Sequence, residues 1–167
     1  MTQFTCHGPF EIPTVKLAAA RSIAGPEIMA FWSQNASYSP RVGCYIFGMR
    51  AGKGITPWYV GKATKSFGQE AFSSDKLTRY LHVLADYQRG KPVIFFVAYP
   101  AGKKGTTNFR HIAALEKFLI QSAAIANPFL KNINHATAPN WGIAGVLRSA
   151  TKKPTNSAVA VKALLGF

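Results

Sequence analysis

The sequence predicts a mixed fold in which strands and helices follow in the order β, β, α, β, α, with additions at both ends. Residues 42–49 and 57–62 are strand-like and flank a glycine-rich turn, a pattern that predicts a hairpin. Residues 93–99 read VIFFVAY and form the most strand-like run in the chain. Residues 75–87 and 108–126 have the apolar content and spacing of helices. The predicted fold therefore combines one small sheet with two main helices.

The two main helices have recognisable ends. The first, over residues 75–87, carries three leucines at helical spacing, and Ser74 or Asp75 can cap it. Residues 65–74, which precede it, are predicted to be a loop. The second helix, over residues 108–126, is mostly apolar and ends before an Asn-Pro pair, because the residue before proline disfavours helix.

The chain divides into a core and two extensions. Residues 1–40 form a proline-punctuated N-terminal extension with one short helix near residues 27–33, begun at a proline. Residues 41–134 hold the core. The remaining segment, 135–167, is predicted to be a basic C-terminal extension that packs on the core and contains a short helix over residues 156–165.

Composition points to a polyanionic partner. The 167 residues suffice for one main domain with a sizeable core. Twenty Lys and Arg against six Asp and Glu give a formal net charge of +14, while 48% of residues are apolar. A folded domain with a strongly positive surface fits these figures better than a disordered basic tail. Nucleic acid is the first partner to consider, although charge alone indicates only polyanion binding.

The compartment is predicted to be the cytoplasm, with no membrane partner. Cys6 and Cys44 lie far apart, and one of them falls in a predicted strand, so a disulfide framework is not expected. No apolar run approaches membrane-spanning length, and no signal-peptide pattern is expected at the N-terminus. Zinc-ligand spacing, a phosphate-binding P-loop and a nucleophile elbow are also missing from the sequence.

A series of short motifs then resembles the GIY-YIG nuclease family. The motifs are a Gly-Cys-Tyr segment that ends at Tyr45, a Tyr-Val-Gly segment that begins at Tyr59, Arg79 on a helix, Glu116 on a later helix and Asn132 after it. The sequence departs from the family name only where cysteine and valine replace the two isoleucines. The resemblance rests on the order and spacing of the motifs and spans residues 42–134.

The resemblance implies both a fold and an activity. The fold is a small three-stranded, mainly antiparallel sheet flanked by helices. The activity is that of a metal-dependent endonuclease that hydrolyses phosphodiester bonds, with DNA favoured over RNA as substrate. One divalent metal is implied, Mg²⁺ in the first place, with Mn²⁺ as an alternative.

Within this resemblance, Tyr45 and Tyr59 match the two motif tyrosines that lie near the scissile phosphate. One of them would act on the attacking water as general base or through a relay. That role requires a pKa lowered by nearby cations or by the metal, and Lys62 is a candidate for such a cation. Alternation along the strand places Tyr45 beside the small Gly43. The alternative is a cross-strand aromatic pair that only stabilises the hairpin.

Arg79 matches the family arginine that binds phosphate and stabilises developing charge. Helical geometry places it with His82 and Asp86 on the polar side of its helix. His82 is a candidate phosphate contact. The alternatives are a solvated arginine that pairs with Asp75 or Asp86 and an ordinary surface histidine.

Glu116 is the predicted metal ligand. It is the last acidic residue of the chain and has apolar residues three and four positions away on either side. A carboxylate on an apolar helical face is costly unless a cation or hydrogen bonds compensate it, and a divalent metal would do so. The alternatives are a salt bridge to Arg110 or Lys117, or a solvent-exposed rim position.

Asn132, with Asn134 as the alternative, matches the family asparagine that orders the site; either asparagine could instead cap a turn. A further set of basic residues is predicted to hold the nucleic-acid backbone, namely Lys131, Arg148, Lys152 and Lys153.

Two other classes of function stay open. They are a non-catalytic nucleic-acid-binding module on the same fold and an interaction protein whose basic surface meets an acidic partner.

Overall fold

The structure is a computed structural model in which the described residues are 2–17, 20–87, 89–100, 107–132, 134, 143 and 154–164. The chain forms two compact units, Met1–Ala136 and Thr137–Phe167. The elements in chain order are β1 Thr5–Glu11, β2 Val15–Leu17, β3 Ala20–Ser22, α1 Gly25–Gln34, β4 Gly43–Ala51, β5 Gly54–Ala63, α2 Phe67–Glu70, α3 Ser74–Asp86, β6 Lys91–Ala98, α4 Phe109–Ala126 and α5 Asn156–Leu164.

The main sheet has four strands in the order β1-β6-β4-β5, and every neighbouring pair is antiparallel. The predicted hairpin is β4–β5, and the predicted third strand, β6, lies on the other side of β4. The prediction of three strands is wrong by one, because β1 from the N-terminal extension pairs with β6. Gly8 and Pro9 interrupt the strand pattern of β1 in the sequence, yet both are tolerated on an edge strand that carries a bulge. Residues of the same extension also form the separate hairpin β2–β3.

Helices cover both faces of the sheet. Tyr45 and Phe47 of β4 belong to the main core, which Phe31 of α1, Phe67 of α2 and Tyr80 of α3 complete. The intervening strand residues point the other way, because side chains alternate along a strand. Cys44 and Val97 accordingly form a second, smaller cluster with Ile112 of α4. The β5 strand at the edge of the sheet therefore has α3 on one side and α4 on the other.

The predicted helices are present. The helix near residues 27–33 is α1, and the helices over 75–87 and 108–126 are α3 and α4, with ends shifted by one residue or so. The segment 65–74 was predicted to be a loop but contains the single-turn helix α2, capped by Ser66. One turn is too short to produce an apolar period, so the sequence pattern does not reveal it.

The second unit contains α5, which confirms the short helix predicted near the C-terminus. The predicted packing of this extension on the core stays a prediction. In the described parts of the chain, no helix combines the length and apolar character needed to cross a bilayer.

Candidate functional site

The spacing of tyrosine and glycine in the β4–β5 hairpin has a packing reason. Tyr45 faces Gly61 across the two strands, and Phe47 faces Tyr59. A Cβ atom on Gly61 would overlap the phenol ring and hydroxyl of Tyr45. Gly43 has φ 147°, and a Cβ atom there would overlap the carbonyl of Val97 on β6. Gly61 is therefore required by the packing of Tyr45, and Gly43 by the close approach of the β6 backbone.

Tyr45 itself is enclosed in the core. Its side chain is completely buried, and its hydroxyl donates a long hydrogen bond of 3.4 Å to the carbonyl of Glu70. Burial raises the pKa of Tyr45 far above its ordinary value. Its ring lies 6.4 Å from that of Tyr59, centroid to centroid, so the two tyrosines also form the cross-strand contact considered above.

The other predicted site residues come together beside β5. A cavity of about 230 Å³ is lined by Tyr59, Lys62, Arg79, Glu116, Ile120, Asn132 and Asn134. These residues come from β5, α3, α4 and the segment that follows α4. Four of the five predicted catalytic residues thus share one cavity, and Tyr45 is not among the described residues that line it.

Glu116 is held by Lys62. The Lys62 ammonium donates a hydrogen bond of 2.6 Å to Oε2 of Glu116, which joins β5 to α4. The Glu116 side chain is 20% exposed and that of Lys62 is 42% exposed. The salt-bridge partner of Glu116 is therefore neither Arg110 nor Lys117, the two candidates on its own helix.

Arg79 packs on Tyr59 and donates to the segment that follows α4. Its guanidinium carbon lies 5.6 Å from the Tyr59 ring centroid, and Nη1 donates a 2.8 Å hydrogen bond to the carbonyl of Lys131. Its Nε is buried and has no hydrogen-bond partner among the residues that the structure describes. The arginine is thus fixed in the cavity wall, rather than paired with Asp75 or Asp86.

The cations that act on the pKa of Tyr59 are Lys76 and Arg79, whereas the predicted cation was Lys62. Burial raises the pKa of Tyr59 above its ordinary value, and the charges of Lys76 and Arg79, with a hydrogen bond from Lys76, oppose that rise. In the protein by itself burial outweighs the two cations, and the lowered pKa expected from cations or the metal stays a prediction. The sequence interpretation missed Lys76, although its position three residues before Arg79 on α3 was a usable signal.

Asn132 fastens the chain to the free edge of β5. Its Nδ2 donates to the carbonyl of Val60 at 2.7 Å, and its Oδ1 accepts from the Val60 amide at 2.9 Å. The amide of Lys131 donates to the carbonyl of Trp58 at 2.8 Å, and Asn127 donates to the carbonyl of Pro57. The segment after α4 therefore runs along β5 and satisfies an edge that would otherwise be open.

The remaining predicted contacts lie elsewhere. The Lys131 side chain pairs with Asp86 at 3.4 Å and lies over the Trp58 ring, outside the cavity lining. His82 is an exposed residue of α3, and it too is absent from the described lining of the cavity. Arg148, Lys152 and Lys153 fall outside the described residues.

A metal at this site would depend on one carboxylate. Within the described ranges, no three His, Cys, Asp or Glu side chains converge in the way a metal cage requires. Glu116 is the one carboxylate among the described cavity residues. Mg²⁺ is commonly held by one or two carboxylates together with water and substrate phosphate oxygens. The side chains present therefore fit a metal that is shared between Glu116 and a bound phosphate.

The acidic residues are all compensated. Four of the six form ion pairs, since Glu11 pairs with Lys91, Asp75 with Lys76, Asp86 with Lys131 and Glu116 with Lys62. The other two accept hydrogen bonds from backbone amides, Glu27 from Ala24 and Glu70 from Thr64 and Lys65. The six acids are thus already engaged, and the chain carries a formal net charge of +14.

Comparisons of this chain with protein-family models, with curated proteins and with solved structures find no match. The resemblance to the GIY-YIG family accordingly rests on the motif residues themselves.

Proposed function

We propose that this protein is a metal-dependent endonuclease of the GIY-YIG type that hydrolyses phosphodiester bonds in nucleic acid, in DNA in the first place. The observation that carries the proposal is the shared cavity. Tyr59, Arg79, Glu116 and Asn132 are separated by up to 73 positions in the sequence, yet their side chains line about 230 Å³ of space. They also occur in the chain order that the resemblance requires.

Each residue has a chemical role in such a reaction. The Arg79 guanidinium, which lines the cavity, would bind a phosphate oxygen and offset the negative charge that develops there. Glu116 would hold the divalent metal, which when bound polarises the phosphate and the attacking water. Asn132 would keep β5 in place, because it binds both backbone groups of Val60.

The proposed role of Tyr59 is to orient the attacking water. A tyrosine whose pKa is raised by burial keeps its proton at neutral pH, so it is a weak base there. Its hydroxyl can still hold a water through a hydrogen bond, while Lys76 fixes the position of that hydroxyl.

Both cysteines are free thiols, which supports a reducing compartment, and we propose the cytoplasm.

The second candidate is a non-catalytic nucleic-acid-binding module on the same fold. The observation that favours it is the burial of Tyr45, which has no access to a substrate. The positive surface serves this function equally well, because binding to the nucleic-acid backbone needs cations and no catalytic group.

Incubation with supercoiled plasmid separates the two candidates. We expect the protein to nick or linearise the plasmid with Mg²⁺ or Mn²⁺ and to lose that activity with EDTA. Glu116→Gln should bind DNA without cutting it. Binding without cleavage by the unaltered protein, under every metal condition, would establish the binding module instead.

A further inference from the structure

The Glu116 carboxylate is the partner of Lys62 and would also be the ligand of a divalent metal, so two cations would compete for it. Lys62 lies 2.6 Å from Oε2 of the residue that would hold the metal. Asp75 and Asp86, the other acids of the neighbouring helix, are engaged with Lys76 and Lys131. No other carboxylate among the described residues lines the cavity, so Lys62 and a divalent ion must share Glu116.

The charges of the cavity disfavour a metal by itself. Lys62 and Arg79 contribute two positive charges to the lining, and Glu116 contributes one negative charge. A divalent ion would enter a site whose formal charge is already positive, and the two cations would repel it. A phosphodiester reverses this balance, because its negative charge attracts Lys62 as well as the metal.

The ion pair is weak enough to exchange. Its lysine side chain is 42% exposed, and exposed pairs of this kind contribute between zero and about 1 kcal/mol, because water and salt screen them. Lysine is also a flexible point charge that changes partners at little cost. A pair that was buried and bidentate would resist such an exchange.

We propose that Lys62 competes with the divalent metal for Glu116, and that a substrate phosphate relieves the competition by drawing the Lys62 ammonium away. The inference rests on the proposed function. Metal affinity is then low in the free protein and rises with nucleic acid in the cleft, so that metal and substrate bind cooperatively.

The test is binding of Mn²⁺ to the full chain, followed by electron paramagnetic resonance and without any cleavage assay. We expect Lys62→Gln to tighten Mn²⁺ binding about three- to fivefold, the factor that corresponds to an exposed ion pair of up to about 1 kcal/mol. Lys62→Arg keeps the competing charge and should bind Mn²⁺ as the unaltered protein does.

The matched control is Lys117→Gln. Lys117 is exposed, directly follows Glu116 in the chain and forms no part of the described cavity lining. It undergoes the same charge change and should alter the affinity less than about twofold, because an exposed charge outside the cavity is screened. An equal gain in both glutamine variants would reduce the effect to net charge and overturn the inference.

The remaining outcomes separate the inference from the proposed function. If Glu116→Gln abolishes Mn²⁺ binding but Lys62→Gln leaves it unchanged or weaker, the metal site stands and the competition does not. If Glu116→Gln leaves Mn²⁺ binding unchanged, the metal role in the proposed function fails. Thermal denaturation of each variant establishes that the fold is retained.

Discussion

The side chain of Asn132 forms two hydrogen bonds with the backbone of a single residue, Val60, on the neighbouring strand. Nδ2 donates to the Val60 carbonyl at 2.7 Å, and Oδ1 accepts from the Val60 amide at 2.9 Å. This is the pairing that another strand would provide, supplied here by one side chain. It fixes both the edge of β5 and the position of a segment that lines the cavity.

Asn132→Ala should therefore destabilise the protein by about 1–3 kcal/mol, since two net hydrogen bonds are lost and the Val60 groups are left partly unsatisfied. Urea denaturation measures the change. Asn134→Ala is the control, because Asn134 is exposed, and it should cost less than about 0.5 kcal/mol. Equal effects of the two variants would show that Asn132 does not anchor β5.

Gly61→Ala should be far more costly than Gly54→Ala, although both glycines lie on β5. A methyl group at position 61 overlaps the Tyr45 phenol, and the full burial of Tyr45 leaves it no room to move. The nearest atom to a methyl group at position 54 lies 3.9 Å away. We expect a loss of about 1–3 kcal/mol at position 61 and little at position 54, measured as free energies of unfolding. A tolerated Gly61→Ala would contradict the packing assigned to Tyr45.

Alkaline pH should destabilise the fold through its buried tyrosines. Burial raises the pKa of Tyr45 and of Tyr80 well above the unfolded value of about 10. Their stabilising contribution is complete below that value and is lost as the pH rises toward the folded pKa. The free energy of unfolding should stay level from pH 7 to about pH 10 and then fall by up to about 1.4 kcal/mol per pH unit for each tyrosine.

The variant Tyr45→Phe isolates one of these groups. It removes only a long hydrogen bond to Glu70, so stability at pH 7 should change by less than about 1 kcal/mol. Above pH 10 its decline should be shallower than that of the unaltered protein. The same slope in both proteins would mean that Tyr45 does not contribute to alkaline unfolding.

Arg79→Ala should lower the rate of plasmid cleavage by about a hundredfold or more, because charge stabilisation at the reacting phosphate is lost. DNA affinity should fall less than about threefold, since many other cations contribute to binding. Arg110→Ala, which alters an exposed arginine of α4, is the control and should leave the rate unchanged. Similar losses of rate and affinity for Arg79→Ala would make Arg79 one more backbone contact.

Overall DNA affinity should fall steeply with salt, because binding releases the counterions of each neutralised phosphate. Titrations between low and moderate ionic strength measure this dependence. An affinity that is independent of salt would reject nucleic acid as the partner of the basic surface.

The sequence by itself determined the elements whose signal is local. The leucine spacing of α3, the Asn-Pro pair after α4 and the glycine-rich turn between β4 and β5 depend on residues close together in the chain, and these elements lie where they were predicted. The candidates Tyr59, Arg79, Glu116 and Asn132 were also identifiable, through the order of their motifs.

Tertiary structure alone decided which groups meet. It joined β1 to β6, paired Lys62 with Glu116, placed Lys76 beside Tyr59 and enclosed Tyr45 while its partner tyrosine reached the cavity. These contacts join residues that lie tens of positions apart in the chain. Their energy depends on the distance between the groups and on their exposure to solvent, and neither quantity can be predicted from the periodicity of the sequence.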